Sequence, residues 1–125
     1  MKLDFVRFKR LFIRALKLRC PECGDGPIYA SLIRVRDHCP VCGLVFQREQ
    51  GYFIGAIYIN IIATESLLFA SLILSLLIAP GAGAGLYNVL LILAIVLPVL
   101  FFRHSRALWL CIDHFFDPPK GSSEY

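Results

Sequence analysis

The chain has 125 residues, of which 58% are hydrophobic, and carries a formal net charge of +4. This length allows one small unit or two very small ones, and the mean hydropathy of +0.68 is too high for an ordinary soluble domain. Residues 1–51 contain ten Lys/Arg and five Asp/Glu, whereas residues 52–102 contain one charged residue, Glu65. A basic flank beside an apolar half excludes a soluble basic globule and predicts a membrane hairpin.

Residues 1–18 form the first predicted element, a basic amphipathic helix. Large apolar side chains such as Phe8, Leu11 and Phe12 fall on one half of the helical circumference, and most Lys and Arg side chains fall on the other. Such a helix is expected to lie on an anionic cytoplasmic membrane surface. The alternatives are RNA contact, which the continuous apolar face disfavours, and packing on the rest of the chain. No secretory signal peptide is expected, because no continuous apolar core precedes Cys20.

Residues 19–48 contain two near-identical pentads with the combined spacing C-x2-C-x15-C-x2-C, and each pentad ends in glycine. This spacing predicts a tetrahedral metal site whose ligands are the thiolates of Cys20, Cys23, Cys39 and Cys42. Zinc is the expected ion, and iron is the alternative because tetrahedral four-sulfur geometry suits both. A disulfide-linked loop is the other interpretation of the four cysteines, and the compartment decides between the two.

The segment around the metal site is predicted to be a small zinc ribbon. Its β-branched and aromatic residues favour short strands at residues 28–35 and 44–46. A segment this small cannot bury enough apolar surface to fold unaided, so the metal is expected to supply folding energy. His38 precedes Cys39 but is expected at the surface, because four thiolates already saturate the ion.

Two apolar segments follow, and they predict a helical transmembrane hairpin. Residues 51–79 form the first predicted transmembrane helix, residues 80–85 an uncharged external turn, and residues 86–102 the second helix. Residues 103–116 are expected to continue as an interfacial helix, and residues 117–125 as a polar tail. The fold class is thus mainly helical and membrane-bound, with the zinc ribbon before the hairpin.

The location of the basic residues predicts how the hairpin is oriented. All Lys and Arg residues lie on the flanks of the hairpin and none lies in its connecting turn. The positive-inside rule therefore predicts a multi-pass protein of the bacterial inner membrane, with both termini and the metal site in the cytoplasm. That compartment is reducing, which favours thiolate-bound metal over disulfides.

The first apolar helix carries two polar features. Glu65 is a carboxyl group within an apolar span, which is costly and marks a functional candidate. We expect it to donate a hydrogen bond to a carbonyl freed by Pro98, or to pair with another chain; the alternative is a carboxyl near the membrane boundary without a role. A second face carries small polar residues that allow close approach of the second helix or of a partner: Asn60, Thr64, Ser71 and Ser75.

The two pentads, the junction Gly51-Tyr52-Phe53 and the two-helix hairpin together resemble the uncharacterised bacterial family catalogued as domain of unknown function 983. The stretch 102–109 and the later Asp113 and Asp117-Pro118 are similar to the closing segment of some members, so the resemblance covers roughly residues 18–118. The resemblance implies an architecture and no established activity. In some bacteria the family's genes lie near those for respiratory oxidase assembly, which implies a role in membrane-complex biogenesis.

These features favour a non-enzymatic protein. A closed four-thiolate zinc site has no open coordination position, and the sequence contains no Ser/His/Asp set, paired carboxylates or phosphate loop. We expect an accessory or interaction module for a membrane complex, whose partners are the lipid bilayer and another membrane protein or a second copy, without nucleic acid. The alternatives are a rubredoxin-like iron module for electron transfer and a thiol or metal-delivery protein. Cys111 and His114 form an isolated C-x-x-H, which favours packing over a second metal site.

Overall fold

The computed structural model describes residues 4–81 and 83–118, and these residues contain three helices. They are α1 (Phe5–Leu16), α2 (Ile54–Ile78) and α3 (Ala84–Phe116), of which α2 and α3 form an antiparallel hairpin. The mainly helical fold class is therefore confirmed. The first three residues of the predicted amphipathic helix and most of the predicted polar tail lie outside the described residues.

Helices α2 and α3 are both long and apolar enough to cross a membrane. Their most apolar windows have mean hydropathies of 2.3 and 2.5, and only 6% and 0% of those windows is buried within the chain. A bilayer core of about 30 Å needs roughly 20 helical residues. Since α3 has 33 residues, it is longer than one span requires. It continues without a break past residue 102, where the sequence predicts the change from a transmembrane to an interfacial helix.

The two long helices approach each other closely near the start of α2. A side chain added at Gly55 would overlap the indole ring of Trp109 on α3. One turn further, Asn60 is buried and its Nδ2 donates a hydrogen bond to the carbonyl oxygen of Pro98 at 2.9 Å. Small residues at this end of α2 thus allow α3 to pack directly on its backbone.

One core joins α1, the cysteine-rich segment and the second half of α3. Leu11 and Ala15 of α1 are buried in this core, and the ring of Phe8 packs edge-on against Phe115 at 5.6 Å. Helix α1 is therefore docked on α3, whereas the sequence favours a helix lying on the membrane surface. Part of its apolar face remains exposed, since Phe5 is 74% accessible. The remaining core residues come from the cysteine-rich segment and α3: Cys20, Ile28, Tyr29, Cys39, Phe46, Ala107, Leu110 and Cys111.

The cysteine-rich segment contains no strand among the residues that the structure describes, which corrects the predicted β ribbon. Three isolated bridges occur where short strands are expected, and they pair Arg19 with Pro27, Tyr29 with Val35, and His38 with Val45. The first and third pairings each enclose a cysteine turn, and proline supplies no N–H to the first, whereas the pairing of Tyr29 with Val35 closes the short loop of residues 30–34. The segment is instead fixed by its contacts with the helices and by the geometry of its cysteine turns.

Candidate metal centre

Each C-x-x-C pair forms a tight turn closed by the glycine that follows it. The N–H of Gly24 donates to the carbonyl of Cys20, and the N–H of Gly43 donates to the carbonyl of Cys39, both at 3.0 Å. Gly24 has a φ of +80° and Gly43 a φ of +77°, in the left-handed region that favours glycine. The glycines therefore allow both turns to direct two sulfurs toward the same point.

The four sulfurs of the two turns form one cluster. All four Sγ atoms lie within 4.8 Å of one another, and the distances Cys20–Cys42 and Cys23–Cys39 are both 3.7 Å. Sulfurs bound at about 2.3 Å to a tetrahedral ion lie about 3.8 Å apart, whereas a disulfide requires about 2.05 Å. The four free thiols thus fit a tetrahedral metal ion and not a pair of disulfides.

The four thiols differ in burial and in acidity. Cys20 and Cys39 are buried, while Cys42 is exposed. Although burial raises the pKa of the Cys23 thiol, the backbone N–H groups of Gly26 and Asp25 lower it to about 7. Burial raises the pKa of Cys20 and Cys42. Cys23 is thus prepared as a thiolate by its own turn, whereas Cys20 and Cys42 need the charge of a metal ion to lose their protons.

Gly26 belongs to the site although it lies outside both pentads. Its N–H lies 3.5 Å from the Cys23 sulfur, and its carbonyl accepts the N–H of Cys20 at 2.8 Å. A side chain at this position would overlap the sulfur of Cys39. The sequence identifies Gly24–Pro27 as a turn, but the need for a glycine at residue 26 depends on where the second cysteine turn lies. The two cysteine turns, residues 20–24 and residues 39–43, are called the first and the second knuckle below.

The first knuckle is attached to α1 and to α3 by polar contacts. Arg14 on α1 donates through Nη1 to the carbonyls of Pro21 and Glu22, at 2.6 and 2.8 Å. The Glu22 carboxylate lies 2.8 Å from Nε2 of His114, which is only 5% exposed near the end of α3. His114 therefore contacts the first knuckle through the carboxylate of Glu22. Cys111, the cysteine of the same C-x-x-H motif, is packed in the core.

A second set of polar contacts joins the end of α3 to the segment after the second knuckle. Arg48 Nη1 lies 2.9 Å from Asp117 Oδ2 and 3.5 Å from Asp113 Oδ2. Tyr52 donates its hydroxyl proton to Asp113 at 2.6 Å, and burial together with this carboxylate raises the pKa of Tyr52. Sequence reasoning gave these residues no role, since the contacts join positions 61 to 69 residues apart.

Glu65 lies far from the cysteine cluster, on the exposed side of α2. It is the twelfth of the 25 residues of this helix and so lies midway along it. In the part of the chain that the structure describes, no side-chain hydrogen bond or ion pair includes Glu65. On α2, the side chain that donates to a carbonyl of α3 is that of Asn60, not of Glu65.

The predicted small polar face of α2 has two distinct parts. Asn60 and Thr64 are buried, whereas Ser71 and Ser75 are half-buried further along the helix. Apart from Asn60, the hydroxyl groups on this face donate to carbonyls of α2 itself, at distances of 2.7 to 2.8 Å. The face therefore meets α3 mainly near the metal-proximal end of the hairpin.

The structure thus has a four-cysteine cluster at one end of a helical hairpin, and this hairpin is long and apolar enough to span a membrane. This combination is the class of protein to which the chain belongs. The chain belongs to the family described as Protein of unknown function (DUF983), whose model matches residues 29–114. The matched segment contains Cys39, Cys42 and the hairpin up to His114, whereas the first pentad precedes it. No curated protein and no solved structure matches the chain. The family predicted from the motifs is thus confirmed.

Proposed function

We propose that this is a non-enzymatic membrane protein that acts as an interaction module for another membrane protein. In this proposal a structural zinc site stabilises the module. The observation that carries the proposal is the exposed position of Glu65 midway along the outer face of α2. A carboxyl group facing hydrocarbon is costly, and carboxyl groups inside membranes usually face polar partners. A polar or cationic group of a partner chain would remove this cost.

The arrangement of the cysteines supports a structural role for the metal. Four thiolates complete a tetrahedral zinc site and leave no position for a substrate or an activated water. The first knuckle also contacts α1 through Arg14 and α3 through Glu22, so metal binding would order the contacts between three parts of the chain.

The cysteine-rich segment also presents exposed apolar side chains that suit a partner surface. Leu32 and Ile33 are 75% and 70% exposed at the tip of a turn, and Val41 is 63% exposed within the second knuckle. Leu32 and Ile33 are adjacent in the chain, and contiguous exposed apolar surface is typical of interaction sites. Together with Glu65, they would give a partner one contact outside the membrane and one within it.

We propose that the hairpin spans the bacterial inner membrane with the metal site in the cytoplasm. The basic residues of α1 support this orientation, and so does the uncharged turn after α2. An alkaline phosphatase fusion after Gly83 tests it, since the enzyme folds only outside the reducing cytoplasm. An active fusion after Gly83 and an inactive one after Phe116 are expected, and the reverse pattern contradicts this orientation.

The partner proposal is tested by changing Glu65 and comparing complexes on native gels after mild detergent extraction. Glu65→Leu is expected to abolish co-migration with the partner, whereas Glu65→Gln keeps a hydrogen-bonding group and retains at least part of it. Ser66→Leu is the matched control, because Ser66 is also exposed on α2. If the complexes of Glu65→Leu match those of the parent, the proposed contact is wrong.

A rubredoxin-like iron site is the second candidate, because Cys42 is exposed and an exposed ligand permits electron exchange with a partner. Purification under reducing conditions, metal analysis by mass spectrometry and a visible spectrum separate the candidates. One colourless zinc per chain supports the structural site, and a coloured iron protein supports electron transfer. Substoichiometric metal that is easily removed favours thiol exchange or metal delivery instead.

A further inference from the structure

An apolar cavity of about 130 Å³ lies between α1 and the helical hairpin. Its lining comes from all three helices and includes Phe8, Phe12, Ile59, Leu108, Cys111 and Ile112. Apart from the Cys111 thiol, these side chains offer no polar group to hold water. Engineered cavities of about 150 Å³ with similar linings stay dry and bind hydrocarbon molecules. The cavity therefore suits a hydrocarbon ligand.

The cavity lies where the predicted membrane span begins. Ile59 is the sixth residue of α2, and the cavity residues of α3 lie within its final nine residues. On the side of α1, Phe8 and Phe12 are 41% and 42% exposed, so the cavity is not sealed from the surroundings. A chain of the adjacent lipid layer could enter it without crossing a polar barrier.

Helix α1 also supplies a positive charge beside the cavity. Residues 5–16 contain four Lys/Arg and no Asp or Glu. Arg14 is bound to the first knuckle, and the guanidinium of Arg7 lies 6.0 Å from the ring of Phe115. Lys9 is exposed and precedes Phe12 by three residues, so it lies beside the cavity-lining face, whereas Arg10 lies on the other side of the helix.

We propose that this cavity binds a short segment of one acyl chain of an anionic phospholipid, whose headgroup phosphate contacts Lys9. The apolar lining selects the hydrocarbon chain, and the ammonium group selects the charge of the headgroup. This site is separate from the metal centre and does not depend on the proposed protein partner.

The test uses the full chain in nanodiscs that contain equal amounts of phosphatidylglycerol and phosphatidylethanolamine. The protein is released from the nanodiscs into the gas phase, and native mass spectrometry identifies the lipids that it retains. One retained phosphatidylglycerol per chain is expected. Ile112→Trp fills the cavity and should lower retention about tenfold or more, because the chain loses its apolar contacts. Ile95→Trp is the matched control, since Ile95 is 65% exposed elsewhere on α3 and should not change retention.

A second part of the experiment tests the contact with the headgroup. It compares Lys9→Gln with Arg10→Gln, which each remove one positive charge from the same helix. Lys9→Gln should reduce the preference for phosphatidylglycerol, and Arg10→Gln should leave it unchanged. Metal content and helical circular dichroism establish that each variant folds; Leu108→Phe replaces Ile112→Trp if the larger side chain prevents folding. Equal retention of both lipids, retention of free fatty acid instead, or unchanged binding by the folded cavity variant overturns the proposal.

Discussion

Gly26 lies between the first knuckle and the sulfur of Cys39, at a point where a methyl group would overlap that sulfur. The cysteine ligands alone therefore do not define the site. A backbone without a side chain at residue 26 allows the two knuckles to approach and supplies an N–H to Cys23. At this scale the candidate metal centre consists of four cysteines and the small residue that lets them converge.

Gly26→Ala is predicted to lower metal occupancy, because the added methyl group must displace the sulfur of Cys39 from the cluster. Metal analysis of the purified variant measures this loss. Gly85→Ala is the control, since a side chain there meets open space and the position lies in α3. Full occupancy in Gly26→Ala would show that the knuckles adjust without loss of geometry.

Glu22→Ala is predicted to destabilise the fold while leaving the four ligands intact. The change leaves the buried Nε2 of His114 without its carboxylate partner, which costs about 1–3 kcal/mol. Denaturant unfolding in detergent measures the loss, and metal analysis should still find the ion. Glu49→Ala, which removes an exposed carboxylate, should have little effect. A loss of metal with unchanged stability would contradict the prediction.

At the scale of elements, the hairpin depends on a glycine facing a tryptophan. Gly55 on α2 lies against the indole of Trp109 on α3, and Asn60 donates to the carbonyl of Pro98 one turn further. Lipid gives helices little hydrophobic reason to associate, so close backbone approach and such hydrogen bonds stabilise the pair. The polar contacts of Arg48 and Tyr52 with the end of α3 continue this contact before the first residue of α2.

Gly55→Ala is predicted to destabilise the hairpin by about 1–3 kcal/mol, because the methyl group overlaps the Trp109 ring. Trp109→Leu should relieve that overlap. Thermal or denaturant unfolding of both single variants and the double variant gives a coupling energy for the pair. Strictly additive effects would show that the two residues do not compete for the same space.

At the scale of the whole molecule, the structure combines two units that are stabilised in different ways. The cysteine-rich segment has short pairings and little core of its own, whereas α2 and α3 are apolar helices exposed to their surroundings. Contacts of Glu22 and Arg48 with the end of α3 join the units, and Arg14 of α1 donates to the first knuckle. Loss of metal should therefore open one unit and leave the other folded.

Chelation is predicted to increase hydrogen exchange in peptides from residues 19–46 and to leave residues 54–78 protected. With a metal bound at the four cysteines, the first segment would depend on it for folding energy, whereas the helical bonds of α2 would not. Hydrogen exchange with mass spectrometry in detergent, before and after treatment with a strong chelator, measures both. Readdition of zinc should restore protection. Uniform exchange across both segments would indicate one cooperative unit instead.

Much of the architecture could be predicted because its signals are local. The C-x-x-C-G pattern identifies the four cysteines that converge, since the turn it encodes is formed by adjacent residues. Apolar composition identifies the hairpin, because a bilayer requires long apolar helices regardless of their neighbours. The predicted β strands are not found among the described residues, because single bridges around the second cysteine turn and around the loop of residues 30–34 take their place.

The sequence by itself thus determined which four cysteines converge, where the apolar helices lie and the family. Only the tertiary structure decided that α1 docks on α3, that Glu22 meets His114, and that Gly26 must remain small. The physical reason is the same in each case. A turn or an apolar helix is specified by neighbouring residues, whereas a contact between distant residues depends on how the completed elements pack.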